Sequence, residues 1–101
     1  MSGDINLTHT SALILQTIGA GYCYGFNIME ATGLPSGTVY PALRRLEQLA
    51  LIQSRWEKES KALAEQRPAR KYYKLTALGE KTLVKSVQRC PLLQLLKGAR
   101  S

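Results

Sequence analysis

The hydrophobic pattern of the chain changes its period after Ala50, and this change limits the folds available to it. Before that point, apolar residues recur every three or four positions, which predicts helices. After it, apolar and polar residues alternate around Ile52–Trp56 and again in residues 69–76, which predicts two antiparallel strands. Helical spacing returns from Thr76. The predicted order is therefore helix, helix, helix, strand, strand, helix.

Local signals mark the ends of the first helices. The first helix has a plausible N-cap at Thr8 or Thr10, and glycines end it. The second lies in the stretch YGFNIMEATG, where Gly33 is expected to end the helix in the left-handed conformation. A tight turn, LPSG, then leads into the third helix.

The third predicted helix covers residues 36–50 and contains a proline. Its narrow apolar face is formed by Val39, Leu43, Leu46 and Ala50. Pro41 lies on the opposite face, where water can bond to the carbonyl that its missing N–H leaves free. If Thr38 rather than Ser36 is the N-cap, Pro41 falls in the first turn and no bond is lost.

Charge is distributed unevenly along the 101 residues. Residues 1–43 carry two acidic and no basic groups, a charge of −2, whereas residues 44–101 carry 14 basic and 5 acidic groups, a charge of +9. This asymmetry favours an anionic partner for the second half. The uncharged run that begins at Ile5 and ends at Met29 is too polar for a membrane span and has no basic start, so we expect a cytoplasmic protein and no membrane partner.

Helices two and three, joined by a short turn, and a hairpin with a charged connection are typical of a winged helix-turn-helix. The predicted fold is mainly α with a β-hairpin wing. We assign residues 1–75 to a DNA-binding domain and residues 76–101 to a C-terminal helical dimerisation segment of the same compact domain.

Two patches could contact DNA. The tip of the third helix is small and hydroxylated, with one arginine a turn behind, at Ser36, Gly37, Thr38, Tyr40 and Arg44. The second patch interleaves cations with Tyr72 and Tyr73 at the base of the hairpin, and consists of Arg67, Arg70, Lys71 and Lys74. Each patch alone could be a solvated surface, but together they favour double-stranded DNA as the partner.

The C-terminal part is apolar for a chain end. Its exposed leucines either dock on the chain's own core or form a homodimer seam, and we favour the dimer. The predicted interface residues are Leu83, Val87, Leu92, Leu93 and Leu96.

No catalytic constellation is present, so we expect no enzyme and no cofactor. His9 is the single histidine, and Ser36 has no neighbouring base to activate it. Cys23 and Cys90 are too few for a metal site or a disulfide framework. A redox sensor that uses either thiol is a third functional alternative.

Two long stretches, ATGLPSGTVYPALRRLEQLALIQSRWE and RPARKYYKLTALGEKTL, closely resemble the PadR family of winged-helix transcriptional regulators, and YGFNIM fits the same pattern. The similarity covers roughly residues 7–87. It implies a homodimeric regulator, usually a repressor, with an unidentified small-molecule effector. Matching DNA-contact positions are Tyr24, the helix tip at Ser36, Gly37, Thr38 and Tyr40, and the wing residues Arg70 and Lys71.

The chain departs from the resemblance in two places. The connection KESKALAEQRPA has no glycine and could form a helical turn, and about one helix is available for dimerisation, as in the short subfamily.

The alternative function is a protein-interaction module whose basic face docks an acidic partner.

Overall fold

The computed structural model describes residues 7–92. Within this range the elements are α1 (His9–Gly19), α2 (Gly25–Thr32), α3 (Ser36–Gln48), β1 (Ile52–Trp56), α4 (Glu59–Ala64), β2 (Lys71–Leu75) and α5 (Ala77–Arg89). The predicted order of three helices, a hairpin and a final helix is confirmed, with α4 added between the strands. The fold is a winged helix-turn-helix.

The start of α1 depends on one side chain, and the end of α2 depends on one glycine. The Thr8 hydroxyl oxygen accepts a hydrogen bond from the Ser11 N–H at 3.0 Å, so Thr8 rather than Thr10 is the N-cap of α1. Gly33 ends α2 at φ 75°, and its N–H donates to the Met29 carbonyl at 2.8 Å. Both ends follow from local sequence, and the prediction for Gly33 is confirmed.

The start of α3 differs from the expectation. Pro35 is the N-cap, and the Thr38 and Val39 N–H groups both donate to its carbonyl at 3.0 Å. A cap at Thr38 is therefore wrong, and Pro41 lies inside the helix rather than in its first turn. Its exposed position is as predicted, so the carbonyl that it leaves unbonded faces water.

The end of α3 also needs correction, because the helix stops at Gln48 and not at residue 50. Ala50 adopts a left-handed conformation with φ 61° and is exposed, so it does not continue the apolar face. The Leu51 N–H donates to the Leu46 carbonyl at 3.0 Å, which closes the turn and directs the chain into β1.

The core lies where α1, α2, α3 and the hairpin meet. Its fully buried aliphatic side chains are Ile14, Leu15, Ile28, Val39, Leu43, Leu46, Leu51 and Ile52. Three of them lie on the predicted apolar face of α3, which confirms that face for the part inside the helix. Their burial fixes the angle at which α3 projects its opposite face outward.

The hairpin is antiparallel, with Ile52 opposite Leu75 and Trp56 opposite Lys71. A short segment before α2 extends it: Tyr24 forms an isolated bridge with Tyr72, and the Tyr73 N–H donates to the Cys23 carbonyl at 2.8 Å. This pairing attaches the base of the wing to the start of α2.

Helix α5 packs against α1 and β2. The Thr76 oxygen caps it by accepting from the Gly79 N–H at 2.9 Å, and Gly79 contacts the Leu51 carbonyl so closely that a Cβ would overlap it. The Leu83 side chain packs against Gly19, where an added Cβ would overlap its Cδ2 atom. None of the helices within residues 7–92 has the length and apolar character that crossing a bilayer requires.

The buried amide of Gln16 ties the last turn of α5 to α1. Its Nε2 donates to the Ser86 hydroxyl at 2.9 Å and to the Cys90 carbonyl at 2.8 Å. The end of α5 is therefore fixed to the body of the fold by polar contacts as well as by Leu83.

Candidate nucleic-acid interface

The first turn of α3 is open to solvent. Ser36 and Gly37 are exposed, and no side chain caps the helix at Pro35. The first N–H groups of a helix have no partner within it and carry its positive dipole end, which attracts anions such as phosphate. Tyr40 and Arg44 are exposed further along this helix.

The start of α2 packs tightly against α3. Gly25 faces Tyr40, and a Cβ at position 25 would overlap the Tyr40 hydroxyl and lie 2.9 Å from its Cε1 atom. The preceding residue, Tyr24, is the N-cap of α2, and its N–H donates to the Asn27 side-chain oxygen at 2.9 Å. A glycine at position 25 thus allows Tyr40 to pack against the start of α2.

The base of the wing is organised by Glu57, which is only 7% exposed. Both carboxylate oxygens accept hydrogen bonds from the Arg67 guanidinium, at 2.6 and 2.7 Å, and the Tyr72 hydroxyl donates to Oε2 at 2.9 Å. These donors, Arg67 above all, lower the pKa of Glu57 to about 2, although burial opposes the shift. Glu57 therefore remains ionised at neutral pH.

Arg67 is placed differently from the expectation that it reaches toward phosphate. Its side chain is 16% exposed, and its guanidinium also lies 3.1 Å from a Glu65 carboxylate oxygen. The pairing with Glu57 raises the pKa of Arg67 still further. Because its guanidinium binds the carboxylates of Glu57 and Glu65, Arg67 makes its contacts within the wing.

Arg70 and Lys71 lie over aromatic rings instead. The Arg70 guanidinium carbon is 4.8 Å from the centre of the Tyr24 ring. The Lys71 ammonium is 5.8 Å from the Trp56 ring centre and 5.9 Å from that of Tyr73. Neither cation forms an ion pair within residues 7–92. Arg70 is exposed and Lys71 is half-buried, and each has aromatic support.

A cleft of about 850 Å³ separates α3 from the wing and brings six of the nine predicted DNA-contact residues together: Tyr24, Tyr40, Arg44, Arg67, Arg70 and Lys71. The other three, Ser36, Gly37 and Thr38, lie at the start of α3 and do not line it. This surface, which we call the wing cleft, joins part of each predicted patch and is lined mainly by cationic and aromatic side chains, with Glu47 also among them.

Sequence reasoning missed three residues here. Phe26 and Trp56 line the wing cleft and are 67% and 64% exposed, although both are large and apolar. The alternation of the strand predicted the period around Trp56 but not which face is open. Glu57 was missed because its partners Arg67 and Tyr72 are distant along the chain, and Tyr72 was placed in the second patch without its contact to Glu57.

The predicted dimer residues have different surroundings. Leu83 is half-buried against α1 of its own chain, whereas Val87 is 38% exposed on α5. Leu92 is half-buried, and Leu93 and Leu96 lie outside the described residues. A second groove, of about 710 Å³, runs between the start of α1 and α5 and is partly apolar.

The groups that could bind a metal or react as thiols are few in the described part of the chain. Residues 7–92 contain no group of three or more His, Cys, Asp or Glu side chains that could hold a metal ion. Cys23 and Cys90 are both free and partly buried. The redox-sensor hypothesis stays a prediction.

The chain is similar to known transcriptional regulators in sequence and in structure. The family model described as the transcriptional regulator PadR-like family matches residues 14–85. The chain is similar to a PadR family transcription regulator from hypervirulent Clostridium difficile R20291, with 28% identity and a TM-score of 0.71 over 91% of this chain and 97% of that one. No curated protein sequence matches significantly.

Two further solved structures share the architecture. A transcriptional regulator from Clostridium thermocellum, Cth-833, has 25% identity and a TM-score of 0.63, with 90% of this chain and 85% of that one covered. The adhesin competence repressor AdcR from Streptococcus pyogenes has 15% identity and a TM-score of 0.70 over 94% of this chain and 64% of that one. The AdcR similarity concerns the fold alone.

Proposed function

Because the chain belongs to the PadR-like family of transcriptional regulators, we propose that it is a homodimeric repressor that binds a specific double-stranded DNA sequence. Members of this family are transcription regulators and not enzymes. The observation that carries the proposal is the wing cleft, where the outer face of α3 and the wing cations share one surface.

In this proposal α3 enters the major groove. Ser36, Gly37 and Thr38 approach the DNA at the helix tip, where the positive end of the helix dipole and the first N–H groups, at Ser36 and Gly37, favour a phosphate. Tyr40 and Arg44 follow on the exposed face, within reach of base edges and the backbone. Specificity would come from these side chains, because phosphate contacts alone carry no sequence information.

The wing supplies the backbone contacts. Arg70 and Lys71 would bind phosphates, with Tyr24 and Trp56 supporting them through their rings. Arg67 takes no direct part, since its guanidinium is paired with Glu57. The exposed ring of Phe26 would make apolar contact with the DNA at the other rim of the wing cleft.

Dimerisation would use the exposed side of α5. Val84 and Val87 are 56% and 38% exposed, and Leu78 is 44% exposed on the same helix. These residues would form the seam together with Leu92, while Leu83 packs α5 against the chain's own core. The effector implied by the resemblance stays unidentified. We place the protein in the cytoplasm with its DNA partner.

Selection from a pool of random duplexes tests the proposal. We expect enrichment of a roughly palindromic sequence whose half-sites lie about 34 Å apart, since two recognition helices must meet the same DNA face. The recovered duplex should give a retarded band that an unrelated duplex of equal length does not give at the same concentration. Absence of enrichment, with no retarded band at low salt, would favour the protein-interaction alternative.

A further inference from the structure

The wing contains a buried carboxylate at the edge of a surface proposed to bind DNA. Glu57 directly follows β1, whose last residue, Trp56, lines the wing cleft. Simple electrostatics predicts that a negative charge here opposes the binding of a polyanion, so that its removal strengthens binding. The contacts of Glu57 predict the opposite.

The carboxylate is held from three directions. Arg67 binds both oxygens at 2.6 and 2.7 Å, and the Tyr72 hydroxyl donates to one of them at 2.9 Å. The Arg70 N–H points to the other oxygen at 3.4 Å. Because Arg67 neutralises the carboxylate in the interior, the DNA would meet little of its charge, and its hydrogen bonds fix the wing base.

These contacts continue to the DNA-facing residues. The Tyr24 hydroxyl donates to the Tyr72 hydroxyl at 3.3 Å, and the two rings lie 4.7 Å apart at their centres. The Arg70 guanidinium rests on the Tyr24 ring. One continuous chain of contacts thus runs from Glu57 through Tyr72 and Tyr24 to Arg70, and it joins the wing to the start of α2.

We infer that Glu57, itself fixed by Arg67, is a positioning residue for DNA binding, which holds Tyr24 and Arg70 in their binding arrangement through Tyr72. This inference rests on the proposed function. It assigns an acidic residue a favourable role in a cationic interface. Loss of its charge should therefore weaken specific binding even as the net charge of the protein becomes more positive.

The test compares Glu57→Gln with Glu59→Gln in the full chain. Glu59 is exposed on α4, so its substitution removes the same charge from the same wing without disturbing Glu57. Binding is measured on the selected duplex and on an unrelated duplex of equal length. Wild type must first distinguish these two duplexes, and its failure to do so would overturn the proposed function and the inference with it.

For Glu57→Gln we expect about tenfold weaker binding to the selected duplex and equal or tighter binding to the unrelated duplex. Glu59→Gln should bind both at least as tightly as wild type. A purely structural role would lower the melting temperature without changing the ratio of the two affinities below the transition. Unchanged or tighter binding of Glu57→Gln to the selected duplex, with wild type still selective, would overturn the inference alone.

Tyr72→Phe provides a second variant, which keeps the ring and removes the hydroxyl between Glu57 and Tyr24. We expect it to lose affinity for the selected duplex and to retain affinity for the unrelated one. If Glu57→Gln fails to fold, as judged by circular dichroism, this variant decides the question. Wild-type selectivity of Tyr72→Phe would then contradict the inference.

Discussion

Glu57 shows how one residue links stability to pH. Its pKa in the folded chain is about 2, below the ordinary value of 4.5, because Arg67 and Tyr72 donate to the ionised form. A group whose pKa is lowered by folding stabilises the folded state above its ordinary pKa. That contribution decreases as the pH falls from about 4.5 toward 2 and is absent below both values.

We therefore predict that wild type melts at a higher temperature than Glu57→Gln at pH 7 and that this difference shrinks between pH 4.5 and 2. The amide cannot be ionised, so the variant lacks this pH-dependent contribution. Thermal unfolding followed by circular dichroism at each pH measures the difference. A difference that stays constant from pH 7 to pH 2 would contradict the assigned cause.

Gly25 is a second residue whose role follows from its contacts. A methyl group there would overlap the Tyr40 hydroxyl, which is the outer end of a partly exposed side chain that can move aside. Gly25→Ala should consequently displace Tyr40 and weaken binding to the selected duplex, while stability changes by less than about 1 kcal/mol. Gel shift and urea unfolding measure the two effects. Loss of stability with DNA binding intact would show that Tyr40 does not contact the DNA.

At the scale of elements, the pattern of apolar residues predicted the helices and the hairpin because burial of one face imposes a local period. It did not predict the pairing of Cys23 and Tyr24 with β2, since a single bridge between distant residues has no period. Helix α4 was anticipated only as a helical turn that the glycine-free connection could form.

The residues of the DNA-binding site, like the secondary-structure elements, were predicted only in part. The residue types indicated both a cationic wing and the tip of α3, and the resemblance indicated the same tip together with Tyr24, Arg70 and Lys71. Composition could not tell Arg67, which is paired internally, from Arg70, which faces outward, whereas the resemblance named Arg70 and Lys71 but not Arg67. The choice depends on which carboxylate the fold brings within reach, and Glu57 lies ten residues before Arg67 in the chain. Tertiary contacts therefore decided the role of each cation.

Pro41 is expected to lower the stability of α3. It lies inside the helix on the exposed face, and it lacks the N–H that would bond to the Gly37 carbonyl. Pro41→Ala should raise the free energy of unfolding by about 1–3 kcal/mol, because the helix regains that bond. Urea unfolding measures the gain. An equal or lower stability would mean that the proline is matched to a bend of this helix.

At the scale of the whole molecule, the cations lie in the second half of the sequence, and four of them line the wing cleft. The first 43 residues supply α1, α2 and the start of α3, with a charge of −2, whereas the basic residues begin at Arg44. The fold places the wing cations beside the exposed residues of α2 and α3, and the wing cleft lies between them. A long-range field of one sign on this side would steer the protein toward DNA.

The salt dependence of binding to the selected duplex tests this account most directly. With about 6–10 phosphates bound per dimer, wild-type affinity should fall by about 10³–10⁵ between 50 and 200 mM salt. Arg70→Ala combined with Lys71→Ala should reduce the slope of log affinity against log salt by about 0.9 for each phosphate that the variant no longer binds. An affinity indifferent to salt, or a wing variant with the wild-type slope, would contradict the account.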